Sequence, residues 1–181
     1  GFFISGYLLK IFEDDKEKWN KIMIGISQDE KLIRFLSELA WRSGITDEVG
    51  QLLLDMIKID KIQVNELGQF VLGGVVNKLS PEIVTKWIEY MLQTNDQKVL
   101  HNTINLYHFF FVHRTEKTLD PELTLRLLTH DVFMGKEIIQ HYDTMVDYYW
   151  EQIGLLFVKQ YPQKSLDLAD KCLKVWIVHL Q

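Results

Sequence analysis

The 181-residue chain sets 20 lysines and arginines against 25 aspartates and glutamates, a formal charge of −5. With no run of five like charges, it lacks the basic stripe of a nucleic-acid binder, and no nucleic-acid partner is expected. Three prolines and ten glycines are too few for the turns of a β-sandwich, whereas 47% apolar residues exclude a disordered chain.

Residues 1–12 are apolar, but Ser5 and Lys10 interrupt them. They are shorter than the ~18 residues of a membrane span and lack the cationic start of a signal peptide. No membrane partner is expected. The chain starts without methionine and ends inside the amphipathic stretch Lys174–Gln181. The expectation is a segment of a longer protein, with residues 1–27 finishing a preceding unit and both ends packing on further helices. A chain trimmed at its termini is the alternative.

Ser27 and Glu30 have capping-box spacing, and the stripe Leu32, Ile33, Phe35, Leu36, Leu39, Ala40 predicts the helix that follows. Thr46 offers a hydroxyl cap, with Asp47 and Glu48 at the positive end of the next helix. A longer apolar helix is predicted over Val64–Leu79. Within it, Gly73-Gly74 marks a close helix approach or a kink, and weakens the rival strand at Val71–Val76. Ser80-Pro81 and Asp120-Pro121 place a cap before proline at the first helical position, where its missing N–H costs nothing. The stripe Ile83, Val84, Trp87, Ile88, Met91, Leu92 follows the first of these. Long apolar helices are predicted over Lys98–His113 and Met145–Gln160. Between them the pattern breaks around Met134–Lys136, predicting a loop over 131–142. Tyr161-Pro162 repeats the proline without a good cap. The lone Cys172, patterned with Leu168, Leu173 and Trp176, reads as a buried small hydrophobe. Trp19, Trp41, Trp87 and Trp176 read as core. A single cysteine fits a reducing, cytoplasmic compartment.

Pro81, Pro121 and Pro162 recur at spacings of 40 and 41 residues. Two helices per period of about 40 residues are the signature of stacked helical repeats. The expected fold is all-α: one repeat segment over residues 1–181, with about four antiparallel helix pairs in residues 28–181. This unit length, proline position and helix pairing resembles the HEAT and armadillo-like α-solenoids. The stretches Pro121–His130, Tyr148–Ile153 and Gln160–Pro162 are similar to solenoid regions of large multidomain bacterial proteins. Some of those carry an NTPase switch domain and use the solenoid as a ligand sensor. No phosphate-binding-loop motif lies in this sequence.

The histidines do not form a metal motif. His101 and His108 are seven apart, ~10 Å along a helix axis, too far for one zinc with ligand bonds of ~2 Å. His108 and His113 are predicted to point ~140° apart around an α-helix. No metal or cofactor is expected. Asp143, Asp147 and Glu151 form an acidic stripe, read as a solvated face or a docking surface for a basic partner. Tyr107, Phe109, Phe110 and Phe111 surround the middle of their helix and read as buried. Tyr142, Tyr148, Tyr149 and Trp150 sit beside the acidic stripe, where core packing competes with a binding role.

The expected function is a non-catalytic protein-interaction or scaffold segment. Its partner is a protein or other domains of the parent chain. The candidate contact residues are His141, Asp143, Asp147, Tyr148 and Glu151, with the 131–142 loop. Two alternatives remain: the sensor or regulatory solenoid of a bacterial signalling or defence NTPase, and an enzyme with a site near His141, Asp143 and Asp147.

Overall fold

The computed structural model describes residues 2–113, 117–134 and 144–178, with backbone alone at residues 2, 144 and 175–178. Among the described residues every element is helical and no strand occurs. The helices are α1 (Phe2–Asp14), α2 (Lys16–Gln28), α3 (Leu36–Ser43), α4 (Asp47–Lys58), α5 (Pro81–Met91), α6 (Gln97–Tyr107), α7 (Pro121–Leu128), α8 (Asp131–Met134), α9 (Thr144–Gln160) and α10 (Ser165–Val178). Among the described residues no helix is long and apolar enough to cross a membrane. The chain divides into two units, residues 1–87 and 88–181, with the division inside α5.

In the first unit, Asp15 separates α1 from α2. Its extended backbone (φ −154°) stops one helix while its carboxylate accepts the Lys18 N–H at the start of the next. The expected start at Ser27 is displaced. The Ser27 hydroxyl donates inside α2 to the Ile24 carbonyl (2.7 Å). Asp29 instead receives the Lys31 and Leu32 amides (2.8 and 3.1 Å). A carboxylate two residues further on thus outcompetes the hydroxyl for the free amides. The 3-10 turn that follows, Ile33–Phe35, shifts the helical face. Ile33, Leu36 and Ala40 are buried, whereas Leu32 and Phe35 of the expected stripe are exposed.

Thr46 caps α4 as expected, accepting the Val49 N–H (3.3 Å). Just before it, Gly44 adopts φ +138°, and a Cβ there would meet the Phe12 ring at 2.5 Å. Only glycine admits that ring and that backbone together.

The expected long helix over Val64–Leu79 is not one α-helix. It is a pair of 3-10 segments within Val64–Lys78, joined by a non-helical kink at Leu72 (ψ 127°), Gly73 (φ 71°) and Gly74 (φ 69°). Two successive left-handed residues cannot continue a right-handed helix. The freed Leu72 carbonyl accepts the Trp41 indole N–H (3.1 Å). Trp41, expected in the core, is therefore only half-buried.

Trp19 and Trp87 are fully buried. The Trp19 indole donates to Ser43 Oγ (3.0 Å), and Trp87 to the Gly50 carbonyl (2.9 Å), so neither leaves an unsatisfied donor in the core. Phe12 and Phe70 meet these indoles edge-on at 5.1 and 5.3 Å. Helix α1 packs on α2 and α3, and α4 on α2 and α3.

In the second unit, Asp96 accepts the Val99 N–H (3.0 Å) to start α6. Asp120 accepts that of Leu123 (2.7 Å) ahead of Pro121, starting α7 as expected. Helix α10 starts at Ser165, three residues after Pro162. Helix α9 packs against α6 and α7, and Leu100, Ile104, Phe110, Leu127, Leu128, Ile153 and Phe157 are buried in this unit. The Tyr107 hydroxyl pairs with Thr124 Oγ1 at 2.6 Å inside this core. Burial pushes the Tyr107 phenol above its ordinary range. All six residues of the stripe expected from Ile83 to Leu92 are buried. Where a loop was expected from 131, the chain instead makes the helical turn α8, and residues 135–142 lie outside the described residues. Cys172 is half-buried and its neighbour Leu173 exposed, while the Trp176 side chain lies outside the described residues.

Candidate functional site

The second unit gathers its aromatic and titratable side chains where α6 ends. There the helix widens into a π-turn, His108–Val112, closed by the His113 N–H on the His108 carbonyl (2.8 Å). An i→i+5 bond adds one residue to the turn. It brings residues five apart toward the same side, so the His108 and His113 rings lie 5.9 Å apart. The ~140° divergence expected of an α-helix is corrected here by the π geometry. Such turns interrupt helices frequently at functional positions.

Helix α9 closes on this turn. Tyr149 stacks on the His108 ring at 4.6 Å with the planes 29° apart, and Tyr148 meets it edge-on at 5.8 Å. Phe109 stacks on His113 at 5.5 Å. His108 is 6% exposed. Burial first, and the nearby His113 second, push its imidazole down to about 4. At neutral pH it is thus an uncharged ring inside an aromatic cluster. Such a ring serves as a hydrogen-bonding or basic group once a ligand or a partner side chain reaches it. Among the described residues, no three His, Cys, Asp or Glu are grouped to hold a metal ion.

The neighbouring loop is pinned by one amide side chain. Gln160 accepts the Leu119 N–H (2.9 Å) and donates to the Lys117 carbonyl (3.0 Å). Tyr161 adds its hydroxyl to the Leu119 carbonyl (2.6 Å). Lys117 lies over the Phe110 ring at 3.2 Å, and burial lowers its ammonium pKa. The Trp150 indole donates to the Leu128 carbonyl (2.9 Å), tying α9 to the end of α7.

Of the five residues singled out in the sequence, His141 and Asp143 lie outside the described residues, and so does Tyr142. Asp147, Tyr148 and Glu151 sit on α9, all exposed. Tyr148 alone joins the His108 cluster. Asp147 and Glu151 make no ion pair with any described residue. His108, the most strongly perturbed of the described histidines, was not singled out. Its only sequence signal was the five-residue spacing to His113 across an all-apolar core, which an α-helical projection reads as divergence.

No protein-family model, curated protein or solved structure matches the chain. The geometry of the two units therefore carries the functional argument alone.

Proposed function

We propose that this chain is a non-catalytic protein-interaction or scaffold segment of a larger cytoplasmic protein, and that the outward face of α9 is its contact surface. One observation carries the reading. Met145, Tyr148, Leu155 and Val158 are 44–59% exposed along α9, at offsets of three, ten and thirteen residues from the first. That spacing draws an apolar stripe along one helix face. The opposite side of α9 is already occupied, with Val146, Ile153 and Phe157 in the core. Asp147 and Glu151 flank the outer stripe as exposed carboxylates without an ion pair among the described residues. A helix with apolar residues on two sides presents one of them to a partner. The acids favour a partner helix with basic residues beside its own apolar stripe.

Stacked antiparallel helix pairs are the proposed finer architecture. In the first unit, supporting it, α1 packs on α2 and α3 on α4, while α1 also packs on α3 and α2 on α4. Two pairs laid one on the other make that contact pattern. The His108 cluster supports a second reading, in which the segment is the sensor or regulatory portion of a signalling or defence NTPase. A buried, uncharged imidazole next to a π-turn is a group that a ligand can recruit.

The test compares Leu155→Glu and the double change Asp147→Lys/Glu151→Lys with the wild-type chain in quantitative partner capture. All three should share one circular-dichroism spectrum, because the altered side chains are exposed. The proposal expects a partner held by the wild type and released by both variants. Equal retention by all three contradicts it.

A further inference from the structure

The first unit holds an open groove of about 430 Å³, lined by Phe12, Lys16, Ile45, Thr46, Asp47 and Lys78. Its volume lies in the ~300–1,000 Å³ range of small-ligand sites. We propose that this groove binds a small phosphate dianion between the Lys16 and Lys78 ammonium groups.

Each ammonium group lies near the same ring of the groove wall. Lys16 Nζ is 5.5 Å and Lys78 Nζ 4.9 Å from the centre of Phe12. The ring cannot move aside, because Trp19 meets its edge and the Gly44 backbone presses against it. Neither lysine makes an ion pair with any described residue, whereas Lys10, Lys86 and Lys174 each pair with an acid four residues away on their own helix. Both lysines line the groove with exposed side chains, so neither has to be desolvated before an anion reaches it. Their flexible four-carbon stems let both close on one bound anion.

The acid in the groove is partly engaged. Asp47 Oδ1 accepts the Ser80 N–H at 2.8 Å, leaving two positive charges against one negative. The twelve-residue helix α4 begins here, and the positive end of its dipole adds to the field. Two ammonium donors suit a dianion better than a single carboxylate. Each supplies charge-assisted N–H···O bonds to different oxygens of one phosphoryl group.

The test is a titration of the intact chain with inorganic phosphate at constant ionic strength, followed by the amide resonances of Ile45, Thr46 and Asp47. Saturable shifts are expected. Lys16→Gln and Lys78→Gln should each weaken binding about tenfold, the scale of one charge-assisted hydrogen bond, and the double variant should abolish it. Asp47→Asn keeps the acceptor for Ser80 while removing its charge, and should tighten binding several-fold, an effect that a purely structural role would not produce. Shifts that rise linearly without saturating, or that persist unchanged in the double lysine variant, would overturn the proposal. So would weaker binding by Asp47→Asn in a chain with wild-type circular dichroism.

Discussion

Val64–Leu79 and Lys98–His113 both read in sequence as long apolar helices, and both are interrupted, by opposite means. The first breaks at Gly73 and Gly74, whose left-handed backbone (φ 71° and 69°) stops the helix outright. The second contains no glycine. It passes into a π-turn with its right-handed backbone continuing. A kink made by glycine needs no side chain to hold it, only the absence of one. A π-turn made from His-Phe-Phe-Phe-Val must be held by what packs around it, since the extra residue gains no hydrogen bond of its own. Phe110 and Phe111 inside the core, and Tyr149 on His108, supply that support.

The largest effect should come from removing the side chain that anchors each region. Phe70 and Phe110 are both fully buried, so Phe70→Ala and Phe110→Ala should each cost about 3–5 kcal/mol in denaturant unfolding. Phe110→Ala should also release the π-turn, read as loss of the nuclear Overhauser contacts between His108 and Tyr149. Phe70→Ala should leave those contacts in place.

Next comes a change confined to the first region. Gly73→Ala with Gly74→Ala should cost about 2 kcal/mol, roughly 1 per left-handed residue. At Gly73 the cost is conformational, because nothing lies within 4 Å of an added Cβ. A neutral outcome in thermal unfolding would mean that the kink is not left-handed in solution.

A smaller effect belongs to the second region alone. His108 titrates at about 4 in the folded chain, against ~6.5 when unfolded. Below that unfolded value the unfolded chain takes up a proton that the folded chain refuses. The stability that the neutral imidazole contributes is therefore complete above pH 6.5 and lost as the pH falls toward 4. The loss should be on the order of 1–2 kcal/mol once solvent screening is allowed for. His108→Phe, which keeps a ring on Tyr149, should flatten this slope. An unchanged slope would assign the acid sensitivity elsewhere.

The smallest change expected is in stability on reversing Asp147 and Glu151. Both are exposed and unpaired among the described residues, so Asp147→Lys/Glu151→Lys should alter unfolding by less than about 0.5 kcal/mol while altering partner binding.

The contrast between the two regions also marks what was legible in the sequence. Helix starts at Thr46, Ser80 and Asp120 could be read because a cap is a local contest between one side chain and a few amides. The stripe from Ile83 to Leu92 could be read because periodicity survives wherever the helix stays regular. Ser27 was misread because Asp29, a stronger acceptor for the same amides, lies two residues further on. The His108 cluster was hidden for a different reason. A π-turn carries no residue signature, and projecting the sequence at 3.6 residues per turn separates the two rings that it brings together. The groove at Phe12 was equally hidden, since Lys78 reaches it from 66 residues further along the chain. Of the expected contact residues, Tyr148, Asp147 and Glu151 could be placed on one helix from their spacing. That the apolar stripe beside them faces outward depends on which side of α9 the core claims.

The most direct test of the α9 surface is photo-crosslinking in the native host, with a benzophenone side chain at position 155. Position 122, exposed on α7, serves as the control. The account predicts one discrete protein adduct from position 155, absent from position 122 and lost when Asp147 and Glu151 are both reversed. No adduct from position 155, or the same adducts from both positions, would contradict it.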